Sequence, residues 1–291
     1  MKKKLRRILI LVLALVFVTS LTMLLRLRAE YSAGEEIYAE AIQIAIPEPP
    51  AAEPEQPQEG EAPRPPVEAP AEPPAEEGVR PEDMDLAALR AVSGDVIGWI
   101  WIPGTKLSYP LVQGEDNDYY LNHAWNGRKV SAGSIFIDFS CAADFSGYNT
   151  VIYGHSMDNG SMFRTLLNYK KQSYYDKYPE IYIYTPNGNY RMIIFAAYET
   201  KHDDLVYGKV YSEKGVEKLV NHAISKSKIK TKVEVSSKDK IVSLSTCAYS
   251  SKNARCIVMG KLVPADFSSS SQNESNLSQN DTNISNSGLF E

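Results

Sequence analysis

Cysteine is scarce in this sequence. Only three occur in 291 residues, at positions 141, 247 and 256. Small secreted domains that depend on disulfides usually carry an even number of cysteines at regular spacing. Three cysteines allow one bridge at most, so at least one thiol is free. The count argues against a disulfide scaffold. In an exported chain, which the N-terminus indicates below, a free thiol is more easily explained by chemistry than by packing.

Positive charge is not in excess either. Lysine and arginine number 31 against 36 aspartates and glutamates, for a formal net charge of −5. Much of the negative charge lies in one early stretch, and no basic field remains elsewhere in the chain. A nucleic-acid-binding surface requires such a field, so nucleic acid is excluded as a partner.

Large apolar residues are almost absent between positions 47 and 81, where Pro, Glu and Ala predominate. Such a segment cannot bury enough surface to offset the entropy lost on ordering. Extended at about 3 Å per residue, it reaches on the order of 100 Å. We therefore expect residues 26–81 to form an extended linker. A Pro-rich ligand for another module is the rival interpretation, but no PxxP flanked by basic residues stands out.

The N-terminus contains the one long apolar run. Residues 1–7 include five lysines and arginines, and residues 8–25 are uncharged, which is just long enough to span a bilayer as a helix. The basic cluster precedes the run, so residues 1–7 are expected in the cytoplasm and the rest outside the cell. A cleaved signal peptide is the alternative, but its apolar core is usually shorter, and no clear cleavage site follows. We expect a single-pass membrane anchor.

Residues 82–264 have the pattern of a folded, mainly β domain. Short segments rich in Val, Ile and Tyr are separated by turn pairs, which favours one β-barrel or sandwich over a βαβ sheet. Helices are predicted near residues 86–92, 162–169 and 212–227, the last after Ser212 as N-cap. The Ser/Asn-rich residues 265–291 are expected to be disordered. The predicted strands are residues 96–102, 134–139, 150–153, 181–185, 190–198, 232–235, 240–245 and 255–262.

Cys247 lies at the end of the predicted strand that begins at Lys240. With the two-residue period of a strand, it shares a face with Ser243 and Ser245, while Val242 and Leu244 take the core face. A structural cysteine would more naturally alternate with the apolar residues. The pattern favours Cys247 as a reactive thiol.

Arg255 begins the strand that follows a short polar loop. A hairpin between the two strands brings Arg255 alongside Cys247, where its permanent charge would favour a thiolate and support an oxyanion. A surface arginine in an ion pair is equally consistent with the spacing. Cys256 alternates with Val258 and is expected in the core, and Cys141 is left without a role.

His155 is the best general acid/base candidate among the four histidines. It follows an apolar strand that ends in Gly154, so the imidazole is expected at a strand exit. Cysteine chemistry at an acyl centre needs such a group to protonate the leaving amine. His123 is read as structural, and His202 and His222 as surface residues. Spacing alone gives His155 only a slight preference over His123.

These pieces together resemble the sortase family, over residues 86–264. The family's TLxTC motif is similar to SLSTC at residues 243–247, its histidine motif to YGH at 153–155, and its arginine strand to RCIVMGK at 255–261. Further segments look like class B members: IGWI at 97–100, IPGT at 102–105, YPLVQG at 109–114, DNDYYL at 116–121 and AGSIF at 132–136. The helix at 212–227 matches the helical insertion typical of that class.

The resemblance implies an eight-stranded closed β-barrel with N-terminal helices and a helix inserted between late strands. It also implies a reaction. Cys247 would attack the Thr–Gly bond of a C-terminal sorting pentapeptide, LPxTG- or NPxTG-like, to give a thioacyl enzyme. His155 would protonate the leaving amine, Arg255 would hold the oxyanion, and an amine from a cell-wall precursor would resolve the intermediate.

By position, the resemblance makes Asn117, Leu121 and Ser245 lining residues of the substrate groove. The acidic residue that follows the cysteine in some members is Ala248 here. No cofactor or metal is indicated. Residues 116–118 begin like a calcium loop, but the Tyr-Tyr-Leu that follows fits helix capping instead.

Three rival functions remain open from the sequence. A pilin-polymerising sortase would use a lysine of another subunit as the amine. A non-catalytic wall-facing binding module could use the same fold, although the intact Cys247, His155 and Arg255 argue against it. A papain-like hydrolase would place its cysteine ahead of its histidine, and here the order is reversed.

Overall fold

A computed structural model describes residues 2–46, 84–248 and 253–265 of the chain. The Pro/Glu/Ala-rich part of the expected linker, residues 47–81, lies outside the described residues. Apart from Ala265, the expected Ser/Asn-rich tail lies outside them as well.

The described domain is a closed β-barrel, which confirms the predicted fold class. Its strands follow the order β1-β2-β3-β4-β7-β8-β6-β5 around the barrel. The pairs β2–β3 and β4–β7 are parallel, and the remaining pairs are antiparallel. Closure leaves no free sheet edge. The strands are β1 Val96–Trp101, β2 Ser108–Val112, β3 Ile135–Ile137, β4 Asn149–Tyr153, β5 Glu180–Thr185, β6 Gly188–Lys201, β7 Lys240–Cys247 and β8 Ala254–Pro264.

Helices surround this barrel. They are α1 Lys2–Ala45, α2 Leu86–Val92, α3 Gln172–Lys177 and α4 Glu213–Lys226, and 3₁₀ turns cover Tyr119–Leu121, Phe163–Lys170 and Leu205–Tyr207. Helix α4 begins as predicted, because the Ser212 side chain accepts a hydrogen bond from the Gly215 N–H. The Asp116 side chain accepts hydrogen bonds from the N–H groups of residues 118 and 119 at 2.8 Å, at the start of the first 3₁₀ turn.

Both faces of the late strands are buried. Val242, Leu244 and Val258 belong to the barrel interior, as the alternation predicted. The opposite face of β7 and β8, which carries Ile257, packs with the apolar stripe of α4 that includes Leu219. Strand β7 is therefore covered on both faces. Its reactive candidate, Cys247, lies at the C-terminal end, where the strand is less buried.

Two strand assignments differ from the prediction. Strand β2 was missed because Pro110 lies in its middle, and proline argues against a strand in most sheets. Here Pro110 is the register partner of Trp99 in β1, and β3 pairs only with the two residues that follow Pro110. Residues 232–235 were predicted as a strand but are irregular. The barrel is closed without them, and Val233 and Val235 instead pack partly buried on the outer cluster.

The expected linker is also corrected at its start. Residues 26–45 were expected to be extended, yet α1 continues as one helix to Ala45. Its last part has apolar residues at helical spacing, and Ile37, Tyr38 and Ala41 are buried against the barrel. The Asp85 N–H donates to the Ala45 carbonyl at 2.7 Å. The folded unit therefore includes the end of α1 and does not begin at residue 82.

Candidate active site

Strands β4 and β7 end, and strand β8 begins, at the same end of the barrel. In the parallel β4–β7 pair, Tyr153 is the partner of Ser245, so His155 and Cys247 each lie two residues beyond a paired position. In the antiparallel β7–β8 pair, Cys247 is the direct partner of Arg255. The register alone therefore brings the predicted histidine, cysteine and arginine to one barrel end.

A groove of about 340 Å³ opens at this end. All six residues singled out from the sequence line it, namely His155, Cys247, Arg255, Asn117, Leu121 and Ser245. Its other lining residues are Phe136, Tyr153, Gly154, His202, Tyr207 and Thr246. Cys247 is half-buried. A groove lined by aromatic and aliphatic groups with a few polar ones is typical of a ligand-binding site.

His155 is held by its backbone and by a distant loop. Its carbonyl accepts a hydrogen bond from the Phe163 N–H at 2.8 Å, and the Gly154 N–H donates to the Ser245 carbonyl at 3.2 Å. A Cβ at Gly154 would lie 2.8 Å from the Phe163 ring, so glycine is required there. The imidazole Nε2 lies 2.7 Å from the Leu121 carbonyl oxygen. Because a carbonyl oxygen can only accept, Nε2 carries the proton in this arrangement.

Arg255 is half-buried at the start of β8. Its Nη1 donates to the Ala254 carbonyl at 3.2 Å. The sequence left open a surface ion pair as its role, but within the described residues no carboxylate lies at ion-pair distance from it. Its charge is therefore available to the groove and to the sulfur of the facing Cys247.

Asn117 is fixed by a carboxylate behind the groove. Its Nδ2 donates to Asp138 at 2.9 Å, and the Tyr153 hydroxyl donates to the same oxygen at 3.0 Å. Burial raises the pKa of Asp138, but hydrogen bonds from Ser140, Asn117 and Tyr153 outweigh it, so the pKa lies below its usual value. Two groove residues from separate segments thus share one charged acceptor.

Tyr207 is a groove residue that the sequence reasoning missed. Its hydroxyl lies 2.8 Å from the Ser245 Oγ, and burial raises its pKa although the Ser245 bond and the Arg255 charge oppose the rise. It sits in a short turn between β6 and α4 with no periodic pattern to mark it. Its position becomes evident only from distant contacts, with Ser245 38 residues away and with the stacked Tyr153 ring.

The remaining histidines have three different environments. His123 stacks on Tyr119 with ring centroids 4.1 Å apart, which agrees with its structural interpretation. His202 is exposed but lines the groove. His222 was read as a surface residue, and this is corrected: its Nε2 lies 3.0 Å from the buried carboxylate of Asp204. Lys226 also bonds that carboxylate, at 2.7 Å.

The other two cysteines lie outside the groove. Cys256 is buried with its Sγ 3.5 Å from the Leu166 carbonyl, and burial raises its pKa to about 12, so it is the core residue that was predicted. Cys141 is half-buried, and burial raises its pKa as well. A high pKa disfavours the thiolate, which is the nucleophilic form. All three cysteines are free thiols.

Known proteins are similar to this chain in sequence and in fold. Residues 100–263 match the family described as the Sortase domain. Sortase B of Listeria monocytogenes is 36% identical over 182 residues, which cover 62% of this chain and 74% of that protein. The Staphylococcus aureus sortase B–substrate complex superimposes with a TM-score of 0.59 at 34% identity, covering 65% of this chain and 88% of that one. Sortase B from B. anthracis in complex with AAEK1 gives 0.64 at 28% identity, covering 82% and 100%.

Proposed function

Because this chain belongs to the sortase family of cysteine transpeptidases, we propose that its groove cleaves the Thr–Gly bond of an LPxTG- or NPxTG-like sorting signal and transfers the acyl group to a cell-wall amine. The observation that carries this proposal is the strand register. Cys247 is the direct partner of Arg255, and His155 extends from the strand on the other side of β7.

The first half of the proposed reaction forms a thioester. The Cys247 thiolate attacks the carbonyl carbon of the threonine, and negative charge moves to the carbonyl oxygen. Arg255 stabilises that oxyanion. The C–N bond to glycine then breaks, and the glycine nitrogen leaves as an amine after it takes a proton from the His155 imidazolium.

The second half returns the enzyme to its starting state. An incoming primary amine attacks the thioester carbon, and neutral His155 accepts the proton that the new amide must lose. The thiolate of Cys247 then departs, so one peptide bond has been exchanged for another with no net redox change. The Leu121 carbonyl keeps one imidazole nitrogen protonated throughout, which fixes the orientation of the ring.

Substrate recognition is assigned to three further residues. Leu121 is 41% exposed at the groove and offers an apolar contact to the pentapeptide. Asn117 has one N–H and one lone pair left after its bonds to Asp138 and to the Phe139 N–H, and these suit a peptide backbone. Ser245 is buried and bonded to Tyr207, so we propose that it shapes the groove floor.

The proposed location follows from α1. In the described part of the chain, α1 is the one helix long and apolar enough to cross a membrane. We propose that it is a single-pass anchor, with residues 1–7 in the cytoplasm and the barrel outside the cell. Sorting-signal proteins would then reach the groove on the outer side.

The test is mass spectrometry of the full-length protein in detergent micelles, mixed with LPxTG and NPxTG peptides and a small amine. We expect cleavage between Thr and Gly, an amine-capped product and an acyl adduct on Cys247. Cys247→Ala and His155→Ala should abolish these products, and Cys141→Ala is the matched control that should retain them. Peptide binding without turnover would instead indicate a binding module. Capping only by a pilin lysine, and not by the small amine or a wall-precursor amine, would indicate a polymerase.

A further inference from the structure

The end of α1 is part of the catalytic domain. We define the docking segment as residues 34–45 of α1, which includes the buried Ile37, Tyr38, Ala41 and Ala45. The rings of Tyr38 and Tyr109 of β2 meet edge to face with centroids 5.0 Å apart. The apolar window of the same helix is wholly exposed. One helix thus carries a membrane-type surface in its first half and a protein-core surface in its second.

The docking segment contacts the loop that supports the groove. We define the groove loop as residues 113–134, between β2 and β3. The Tyr38 hydroxyl donates to the Gly133 carbonyl, the Trp125 Nε1–H donates to the Ile37 carbonyl at 3.3 Å, and Arg128 pairs with Glu40 at 3.7 Å. This loop carries Asn117 and Leu121.

The same contacts extend to the catalytic histidine. The Leu121 carbonyl lies 2.7 Å from the His155 Nε2. A Cβ at Gly133 would lie 2.5 Å from the Tyr120 carbonyl oxygen, so the last residues of the groove loop pack closely on residues 120 and 121 where Tyr38 binds. A series of contacts therefore leads from Tyr38 of α1 to Gly133, from Gly133 to the Leu121 carbonyl and from that carbonyl to His155.

The described residues on either side of the Pro/Glu/Ala-rich segment lie next to each other. The Asp85 N–H donates to the Ala45 carbonyl at 2.7 Å, so the residues on either side of the segment are hydrogen-bonded to each other. A spacer between membrane and barrel must instead hold its two ends far apart, by on the order of 100 Å if extended. The segment cannot set the distance of this barrel from the membrane.

We propose that α1 is the direct and rigid connection between the membrane and the active site, and that the barrel works against the lipid surface at a fixed height. This deepens the proposed function and rests on its membrane anchoring. From Leu25 to Ile37 a helix rises by about 18 Å at about 1.5 Å per residue. The sorting signal and the amine are therefore joined close to the bilayer, and not deep in the wall.

The height can be measured without any turnover, so failure here is distinguishable from failure of the proposed reaction. Full-length protein in lipid vesicles carries a donor dye at position 211, placed through an unnatural amino acid because Tyr211 is 78% exposed. Acceptor dyes label the lipid headgroups. Replacing residues 48–81 by a short Gly/Ser loop should leave the energy transfer unchanged. A flexible Gly/Ser insertion after Arg28 is the matched control and should broaden the distance distribution. A changed distance on the deletion would overturn the proposal.

Proteolysis provides a second and independent arm. A specific protease site is placed at Gly60 in one variant and within the Gly/Ser insertion after Arg28 in the other. Cleavage at Gly60 should leave the barrel sedimenting with the vesicles, because α1 stays docked. Cleavage after Arg28 should release it. Release of the barrel by the cut at Gly60 would overturn the proposal.

Discussion

The carbonyl oxygen of Leu121 lies 2.7 Å from the Nε2 of His155, although the two residues are 34 positions apart. The contact ties the proposed acid/base to the loop that lines the substrate groove. It also means that the imidazole is held from two sides, by its own strand exit and by this carbonyl. Substitutions on either side should therefore lower the catalytic rate more than they lower the stability of the fold.

Gly154→Ala should displace His155. The new Cβ would lie 2.8 Å from the buried Phe163 ring, so either the ring or the strand exit has to shift. A displacement of about 1 Å at a catalytic group costs on the order of 100-fold in rate, so we expect kcat to fall by about that factor while KM changes little. Steady-state peptide cleavage measures both.

The control for this substitution is a compensating one. Gly154→Ala combined with Phe163→Leu should recover part of the lost kcat, since the smaller side chain frees the space that the Cβ needs. Full activity of Gly154→Ala alone would show that the strand exit does not set the position of the imidazole.

Arg255→Ala should lower kcat by about 100- to 1000-fold, the typical loss for one oxyanion donor. Arg255→Lys keeps the charge but loses the planar fork, so we expect an intermediate loss. Arg191 is a matched control, because it is equally a strand arginine but pairs with Glu180 outside the groove. Arg191→Ala should leave kcat unchanged. Equal kcat values for Arg255→Ala and Arg255→Lys would argue against a geometric role of the guanidinium.

The pairing of Cys247 with Arg255 could be predicted because it depends on local pattern. A two-residue period and a short connecting loop are sufficient to place both residues on one face of a hairpin. His155 is different, since its neighbour β7 lies about ninety residues further along the chain. Its choice over His123 came from family resemblance and not from spacing.

The supporting residues could not be predicted because their partners are distant. Tyr207 contacts Ser245 and the Tyr153 ring, and Asp138 binds Asn117 and Tyr153, all of them in other segments of the chain. The docking segment was missed for another reason. Its apolar residues lie between an apolar anchor and a proline-rich segment. The biased composition of both neighbours dominates this region, so the few apolar residues at helical spacing were not recognised.

Tyr207→Phe should lower kcat/KM for the sorting peptide, because it removes the hydroxyl that holds Ser245 in the groove. The lost hydroxyl leaves the buried Ser245 Oγ without its 2.8 Å partner. A neutral hydrogen bond contributes about 1 kcal/mol, so kcat/KM should fall by about five-fold. Tyr211→Phe, an exposed change nearby, is the control. If Ser245→Ala and Tyr207→Phe act through the same hydrogen bond, the double variant should lose no more kcat/KM than either single variant.

Asp138→Asn should lower stability in a pH-dependent way. The folded pKa of Asp138 lies below its usual value, so its contribution is present above the unfolded pKa of about 3.9 and is lost as the pH falls through the folded value. We expect a loss of about 1–3 kcal/mol in the free energy of unfolding at pH 7 and a smaller one near pH 3. Urea unfolding at both pH values measures this.

The exposed Asp203→Asn provides the comparison for Asp138. It should change the free energy of unfolding little at either pH, because Asp203 is exposed to solvent. A loss for Asp138→Asn that is equal at both pH values would assign its effect to packing and not to charge.

Tyr38→Phe tests the link between α1 and the groove. The buried Gly133 carbonyl would lose the hydroxyl that donates to it, at a cost of about 1–3 kcal/mol in the free energy of unfolding. Because Gly133 closes the groove loop beside Leu121, we also expect KM for the sorting peptide to rise several-fold. Tyr31→Phe is the matched control on the same helix, since Tyr31 precedes the docking segment, and it should change neither quantity. Lower stability with an unchanged KM would show that α1 only stabilises the barrel and does not position the groove.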